Sequence, residues 1–284
     1  MARARVVVLC ALTLCCFAAN SLLARRALGG ALSGAASYTA LRLLAGAVVL
    51  FVIARGRPRP GHEAGWPSAI ALFLYAAPFS LAYLRLPAGV GALLLFGAVQ
   101  ATMMGAALAH GERPPLRTWA GMAIAICGLA GLTLPGAHAP SLAAAAAMLG
   151  AGAAWGWYSL RGRRARDGIA ATAAAFLRAA PLGLALWLAA AAIAPAQAAV
   201  TGPGAALAIA SGAVASGLGY SMWNMVLPHL RASTAAVLQL SVPALAAAGG
   251  VALLGERLTL RLVVCGSAIL GGVALAVFRS RVRA

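Results

Sequence analysis

The chain has 284 residues, of which 63% are hydrophobic and only 9% are charged, and its mean hydropathy is +0.93. This composition excludes a soluble globular domain and indicates a helical protein that crosses a lipid bilayer several times. The net charge of +18 would suggest nucleic-acid binding in a soluble protein. Here the arginines lie in short gaps between apolar stretches, so no nucleic-acid partner is expected.

Ten apolar stretches are long enough to be membrane-spanning helices. They cover roughly residues 6–24, 33–54, 66–84, 88–110, 115–134, 141–160, 169–192, 203–224, 232–254 and 260–278. The first stretch, with its two leading arginines, imitates a signal peptide. Its cleavage would break the match between the two halves of the chain, so we interpret it as the first span and keep a cleaved signal as the alternative.

The distribution of arginines predicts the orientation of the spans. With the N-terminus in the cytoplasm, fifteen arginines fall inside and five outside, as expected because cytoplasmic loops carry the excess of positive charge. An even number of spans then places the C-terminus in the cytoplasm as well.

A Gly-Glu-Arg motif occurs twice, at residues 111–113 and 255–257, each time between two apolar stretches. Leu41-Arg42 and Leu177-Arg178 form a second matching pair. These matches indicate an internal duplication.

Each half of the duplication contains five spans, at residues 1–137 and 138–284. Because five is odd, the second half must enter the bilayer from the opposite side. The sequence therefore predicts an all-α membrane protein of ten transmembrane helices, arranged as two five-helix inverted-topology repeats.

Five plus five spans, with a Gly-Glu-Arg motif between the last two helices of each half, resemble the drug/metabolite transporter superfamily, and within it the EamA-type proteins. The resemblance covers nearly the whole chain. It implies a bacterial inner-membrane exporter with a central cavity lined by the first four helices of each half, and with the fifth and tenth helices at the periphery. Amino-acid exporters, including those of aromatic amino acids, are the most similar branch. Exporters of other metabolites or drugs, and nucleotide-sugar or sugar-phosphate exchangers, are the alternatives.

Arg42 and Arg178 each lie about nine residues into a predicted span, which is roughly 13 Å deep. A charge at that depth should face the interior of the bundle or a wet cavity. The two arginines are predicted either to bind the carboxylate or phosphate of a substrate, or to be satisfied by carbonyls and hold the two halves in register. None of the four acidic residues lies inside a predicted span, so a proton relay is not expected, and neutral, zwitterionic or anionic substrates are favoured.

Aromatic and polar side chains in other spans complete the predicted substrate site. Most lie near the middle of a span, whereas Trp155 and Tyr158 lie near the cytoplasmic end of the sixth. The full set comprises Arg42, Tyr75, Pro78, Phe79, Gln100, Trp155, Tyr158, Arg178, Ser216, Tyr220 and Gln239. Gln100 is costly without a partner, so it bonds either another helix or a substrate. Trp155 and Tyr158 have a second interpretation, as part of an aromatic belt at the membrane interface. Gly-rich faces are predicted to allow close helix packing. Their glycines include Gly121, Gly128 and Gly131, and Gly266, Gly271 and Gly272.

Glu112 and Glu256 have two interpretations. Each forms a gate by pairing with arginines across the cavity mouth, or it lies in a local turn in which its carboxylate caps the next helix. In the local turn, Arg113 or Arg117 is the partner of Glu112. The local turn is favoured. In the inverted topology the two glutamates lie on opposite faces of the membrane and cannot form one site.

No other chemistry is indicated by the sequence. The five cysteines lie in apolar stretches without a Cys-x-x-Cys or Cys/His cluster, so we expect no metal and no cofactor. The histidines lie at gaps or span ends, which argues against an enzyme. The predicted function is transport of a small-molecule substrate by alternating access or facilitated exchange. The remaining alternatives are a channel, a lipid scramblase and a structural subunit. No oligomer is implied.

Overall fold

The computed structural model describes residues 3–54, 65–86, 88–133, 141–254 and 260–277. Within these ranges the regular secondary structure is helical, apart from one isolated antiparallel bridge between Ser33 and Val200. The predicted all-α class is therefore confirmed. Among the described residues, five helical stretches are long and apolar enough to cross a membrane, namely Ala4–Gly29, Ala35–Ile53, Trp66–Tyr83, Gly168–Ile193 and Gly202–His229. The arrangement of ten spans in two inverted repeats stays a prediction.

The first half of the chain forms long helices. They are α1 (Arg3–Ala24), which continues into a π-helical turn (Arg25–Gly29), α2 (Ala35–Ile53), α3 (Trp66–Tyr83), α4 (Ala88–Ala109) and α5 (Leu116–Thr133). Pro78 lies inside α3, where a proline removes one helical hydrogen bond.

The second half contains more interruptions. Its helices are α6 (Leu142–Gly162), α7 (Gly168–Ile193), α8 (Pro195–Ala198), α9 (Gly202–Ala210), α10 (Gly219–Val226), α11 (Ala232–Gln239), α12 (Ser241–Leu254) and α13 (Leu260–Val277). The π-helical segment Ser211–Leu218 joins α9 to α10. Leu240 separates α11 from α12. Pro243 explains this break, because it has no N–H to donate to the carbonyl of Gln239 four residues earlier.

Side-chain caps fix the starts of three helices in the second half. Ser141, Asp167 and Thr201 precede α6, α7 and α9, and each accepts a hydrogen bond from a backbone N–H in the first turn. These are the residue types that cap helix starts most effectively. Polar side chains at the helix ends thus satisfy backbone groups that the apolar spans leave unpaired.

Helices α5 and α13 pack mainly on each other. A Cβ on Gly121 would lie 2.4 Å from the carbonyl oxygen of Gly272, and a Cβ on Gly272 would lie 2.5 Å from that of Gly121. The predicted close packing through glycine is confirmed at this pair. Gly266 and Gly271 face open space instead, so the prediction is wrong for them.

The two ends of the bundle differ. At one end the α1–α2 linker pairs with the chain before α9: the Gly34 N–H donates to the carbonyl of Ala199 at 2.8 Å, and the Thr201 N–H donates to that of Leu32 at 2.9 Å. At the other end a cavity of about 750 Å³ opens between the start of α1, the ends of α4 and α6, and the start of α11. We call this cavity the vestibule.

Candidate functional site

The candidate site is centred on Arg42 of α2, whose side chain is buried. Its Nη2 donates to the hydroxyls of Tyr75 on α3, at 3.1 Å, and of Tyr220 on α10, and its Nε donates to Ser216 Oγ at 2.9 Å. The guanidinium carbon lies 5.1 Å from the ring centroid of Tyr75 and 5.3 Å from that of Phe79. Hydroxyl and cation–π contacts thus replace part of the hydration that burial removes.

One nitrogen of this guanidinium, Nη1, has no hydrogen-bond partner in the described part of the chain. The groups that hold the other two nitrogens are hydroxyls, which carry no charge. A buried charged donor left unsatisfied costs about 1–3 kcal/mol or more. An anion that reached Arg42 would recover this energy, so the site favours negatively charged ligand groups.

Close packing at Gly212 brings Ser216 to Arg42. A Cβ on Gly212 would lie 2.1 Å from the carbonyl oxygen of Arg42, so the π-helical segment Ser211–Leu218 can approach α2 this closely only with glycine at that position. Short π-helical turns inside helices are frequent at functional sites. The wider turn and the missing side chain together place Ser216 against the guanidinium.

Aromatic rings surround the hydroxyls that bind Arg42. The ring of Trp155 on α6 lies 4.5 Å from that of Tyr220, 5.0 Å from Tyr75 and 5.2 Å from Phe17. Tyr158 stacks on Trp155 at 5.4 Å with an interplanar angle of 25°. We call these five residues, together with Phe79, the aromatic cluster.

The burial of the α6 aromatics contradicts the interpretation as an interfacial belt. Trp155 is 3% exposed and Tyr158 is 2% exposed, whereas their neighbour Trp157 is 41% exposed. Only Trp157 therefore faces outward, and Trp155 and Tyr158 belong to the interior of the bundle.

Two predicted glutamines join α4 to α11. Gln100 donates its Nε2 to the carbonyl of Ala236, and Gln239 donates its Nε2 to Met103 Sδ at 3.2 Å. The Oε1 of Gln239 accepts from Trp155 Nε1 at 2.6 Å. Gln100 thus bonds another helix, as one of its two interpretations predicted, while its Oε1 lacks a partner among the described residues.

A second, much smaller cavity of about 20 Å³ lies within the aromatic cluster. This volume is about that of one water molecule. Phe17 and Asn20 of α1 contribute to its wall, and Asn20 Nδ2 donates to the hydroxyl of Tyr75 at 3.3 Å. Neither residue was predicted, although an asparagine in an otherwise apolar stretch was an available signal.

Three predicted residues remain to be placed: Pro78, Arg178 and Glu256. Pro78 is half-buried on α3, between Tyr75 and Phe79. Arg178 is half-buried on α7, and its Nη1 donates to the carbonyl of Ala174 at 3.2 Å. This contact matches the interpretation of Arg178 as an arginine that bonds backbone carbonyls. Its participation in a paired site with Arg42 stays a prediction. Glu256 lies outside the described residues.

The Gly-Glu-Arg motif at residues 111–113 ends α4. Gly111 has a φ of +76°, in the left-handed region that glycine adopts without strain. The Glu112 N–H donates to the carbonyl of Ala107, and the Gly111 N–H donates to that of Leu108, both at 2.9 Å. This is the Schellman arrangement of a helix C-terminus, and it turns Glu112 away from the axis of α4.

Glu112 does cap a helix, but the helix is α11, more than a hundred residues further along the chain. Its carboxylate accepts from the N–H of Ala232 at 3.0 Å, from the N–H of Ser233 at 3.4 Å and from Ser233 Oγ at 2.9 Å. Arg163 and Arg231 lie 3.7 and 3.6 Å from its oxygens. The favoured interpretation, a turn confined to the next helix with Arg113 or Arg117 as partner, therefore missed the long-range contact. We call this set of contacts the Glu112 latch.

Comparisons with known proteins agree with this architecture. Residues 142–278 match the EamA-like transporter family. An uncharacterized protein of Pseudomonas aeruginosa (strain PAO1) is 49% identical over 273 residues, which cover 95% of this chain and 94% of that protein. A protein of known crystal structure shares the fold, with a TM-score of 0.79 over 99% of both chains at 18% identity.

The family match bears on the class of function. EamA proteins are transporters and not enzymes. This agrees with the sequence, in which the positions of the histidines argue against an enzyme. The chain is a multi-pass membrane protein that belongs to the same family as the Pseudomonas protein and carries an EamA-like transporter domain of the drug/metabolite transporter superfamily.

Proposed function

We propose that the protein is an inner-membrane secondary transporter that exports small metabolites bearing a carboxylate, above all amino acids with aromatic or other apolar side chains. The observation that carries this proposal is the buried guanidinium of Arg42, whose Nη1 has no partner in the described part of the chain and whose other contacts are uncharged. A planar carboxylate matches the geometry of a guanidinium and can accept two parallel hydrogen bonds from it.

The aromatic cluster supports an apolar or aromatic substrate side chain. Tyr75 and Tyr220 bind Arg42 through their hydroxyls and present their rings to Trp155. A ligand whose carboxylate reached Arg42 would therefore place its neighbouring atoms against ring faces and edges. Offset and edge-to-face contacts between aromatic rings add about 0.5–1.5 kcal/mol beyond simple burial.

The volumes of the two cavities support a change of conformation during transport. The cavity in the aromatic cluster has a volume of about 20 Å³, far below the roughly 300 Å³ of small ligand sites. The vestibule is large enough, but the residues that line it do not include the aromatic cluster. Two of its lining residues, Leu14 and Leu238, precede Phe17 and Gln239 in the chain. A substrate must displace the aromatic cluster to pass from the vestibule to Arg42, as alternating access requires.

Contacts across the bundle support an inverted repeat. Gln100 contacts Ala236, and Met103 contacts Gln239. Their helices, α4 and α11, belong to the predicted fourth and ninth spans, which correspond to each other in the two predicted halves. Corresponding helices of an inverted repeat meet at the interface between its halves, so these contacts support such an arrangement. The arginine count favours the cytoplasm for the vestibule end and for both termini.

The test is uptake of labelled phenylalanine by proteoliposomes that contain the purified protein. We expect saturable uptake and counter-flow, with phenylalaninamide, which lacks the carboxylate, failing to compete. Arg42→Gln should abolish uptake. Flux that never saturates would assign a channel, and counter-flow with phosphate esters alone would assign a sugar-phosphate type of exchanger.

A further inference from the structure

The vestibule has the features of a second ligand site. Its volume of about 750 Å³ lies within the range of small-molecule pockets. Apolar side chains of α1 and α11 line it, among them Val6, Leu14 and Leu238, and none of the residues that surround Arg42 contributes to it. The two cavities are therefore separate in this conformation.

The mouth of the vestibule carries an excess of positive charge. Arg163, Arg164 and Arg231 line it, and Glu112 is the one carboxylate among its described lining residues. Three guanidinium groups and one carboxylate leave a net charge of +2 there, from 3 − 1. Concave surfaces lined by one sign of charge raise the local concentration of ligands of the opposite sign.

A carboxylate already occupies this mouth. Glu112 accepts hydrogen bonds from two backbone N–H groups and one hydroxyl of α11, and it lies within 4 Å of the guanidinium groups of Arg163 and Arg231. These groups thus bind a carboxylate at the edge of an apolar cavity. A ligand with the same head group meets the same chemistry.

We propose that the vestibule is a binding site of its own for amphipathic organic anions, which place an acidic head group at Arg164 and Arg231 and an apolar body against α1 and α11. The head group competes with Glu112 for Arg231. The site captures a substrate before the aromatic cluster opens, and in this respect it rests on the proposed function, although binding itself does not depend on transport. Positive charge at the mouth also lowers the local concentration of organic cations.

Binding is tested with a matched pair of fluorescent probes. Dansyl-phenylalanine is an anion, and dansyl-phenylalaninamide has the same body without the charge. The protein is placed in nanodiscs of uncharged lipid, with empty nanodiscs as the blank. We expect the acid to bind at least about tenfold more tightly than the amide, with an affinity that falls as ionic strength rises. Equal binding of the two probes would overturn the proposal.

Variants locate the site. Arg164→Gln with Arg231→Gln should weaken binding of the acid about tenfold and leave the amide unchanged. Glu112→Gln should strengthen it several-fold, because it removes the competing carboxylate. Asp167→Asn is the matched control, since it removes the same charge from a helix cap of α7 outside the vestibule, and should have no effect. Wild-type affinity in the double arginine variant would place the probe elsewhere.

A variant at Arg42 separates this proposal from the proposed function. Arg42→Gln should stop phenylalanine uptake and leave dansyl-phenylalanine binding intact. Loss of both would assign the probe to the Arg42 site and overturn the vestibule site. If wild-type protein binds the acid in the vestibule but transports no amino acid, the proposed function fails and the vestibule site stands. If the double arginine variant does not fold, two other measurements test the site. They are the affinity of the acid for Glu112→Gln and its dependence on ionic strength in the wild type, and no change in either would overturn the vestibule site.

Discussion

The indole N–H of Trp155 donates a 2.6 Å hydrogen bond to the side-chain carbonyl of Gln239, at the residue where α11 ends. Gln239 follows Leu238 of the vestibule wall, and Trp155 contacts both tyrosines that bind Arg42. This single hydrogen bond therefore connects the interrupted helix pair α11–α12 to the aromatic cluster. It links the residue that follows Leu238 of the vestibule wall to the candidate substrate site.

Changing either partner of this hydrogen bond should destabilise the protein. Gln239→Leu leaves a buried indole N–H unpaired, and Trp155→Phe leaves a buried carbonyl unpaired, at a cost of about 1–3 kcal/mol each. The double variant leaves neither group, so its loss should be smaller than the sum of the two. A double-mutant cycle on the free energy of unfolding in detergent measures this coupling. Strict additivity would show that the contact does not form.

Arg42 should matter more for transport than for stability. Arg42→Met removes a buried charge that has an unsatisfied nitrogen, and apolar replacement of buried charges is often nearly neutral. We expect the free energy of unfolding to change by less than about 2 kcal/mol, while phenylalanine uptake falls to the level of empty liposomes. Arg42→Lys keeps the charge without the planar fork and should retain weak uptake. Full uptake by Arg42→Met would remove Arg42 from the substrate site.

The contact between α2 and the π-helical segment is tested at Gly212. A Cβ there would overlap the carbonyl of Arg42, so Gly212→Ala should separate the two helices, release Ser216 from the guanidinium and cost several kcal/mol. Gly271→Ala is the control, because nothing lies within 4 Å of the Cβ that it adds. That variant should be neutral or stabilising by up to about 1 kcal/mol. Thermal unfolding of the two variants compares them directly.

Local sequence properties predicted the helical class of the fold and the interior position of Arg42. The all-α class follows from apolar stretches, because a lipid environment forces each span to satisfy its own backbone. Arg42 was found because a charge in such a stretch needs an interior position. The structure places it there, with Tyr75, Phe79, Ser216 and Tyr220 around it.

Contacts between helices that are distant in the chain do not follow from local sequence properties. Phe17 was unremarkable in an apolar stretch, yet its ring centroid lies 5.2 Å from that of Trp155 on α6, although α1 packs mainly on α10 and α12. The partner of Glu112 was likewise missed, since the Schellman turn at Gly111 aims the carboxylate at a helix more than a hundred residues away. The direction of a side chain after a helix end depends on tertiary packing, and one sequence does not specify it.

The Glu112 latch gives the stability of the protein a defined dependence on pH. Burial alone would raise the pKa of Glu112, but hydrogen bonds from Ser233 and from the Ala232 N–H, together with the charge of Arg163, hold this pKa below its ordinary value of 4.5. A carboxyl whose pKa is lower in the folded than in the unfolded state stabilises the fold above its ordinary pKa, and this contribution is lost as pH falls through the folded-state pKa. The latch should therefore be intact at neutral pH and weaken only under acid conditions.

Unfolding measured across pH in the wild type and Glu112→Gln checks this dependence. The wild type should be the more stable protein at neutral pH, and its advantage should shrink as the pH falls below about 4.5. Ser233→Ala removes the hydroxyl that donates to the carboxylate at 2.9 Å, so it should raise the pKa of Glu112 and move the loss of stability to a higher pH. If the free energies of unfolding of wild type and Glu112→Gln differ by the same amount at neutral and acid pH, the charge of Glu112 does not stabilise the latch. The uncharged hydrogen-bonding capacity of the side chain would then account for its contact with α11.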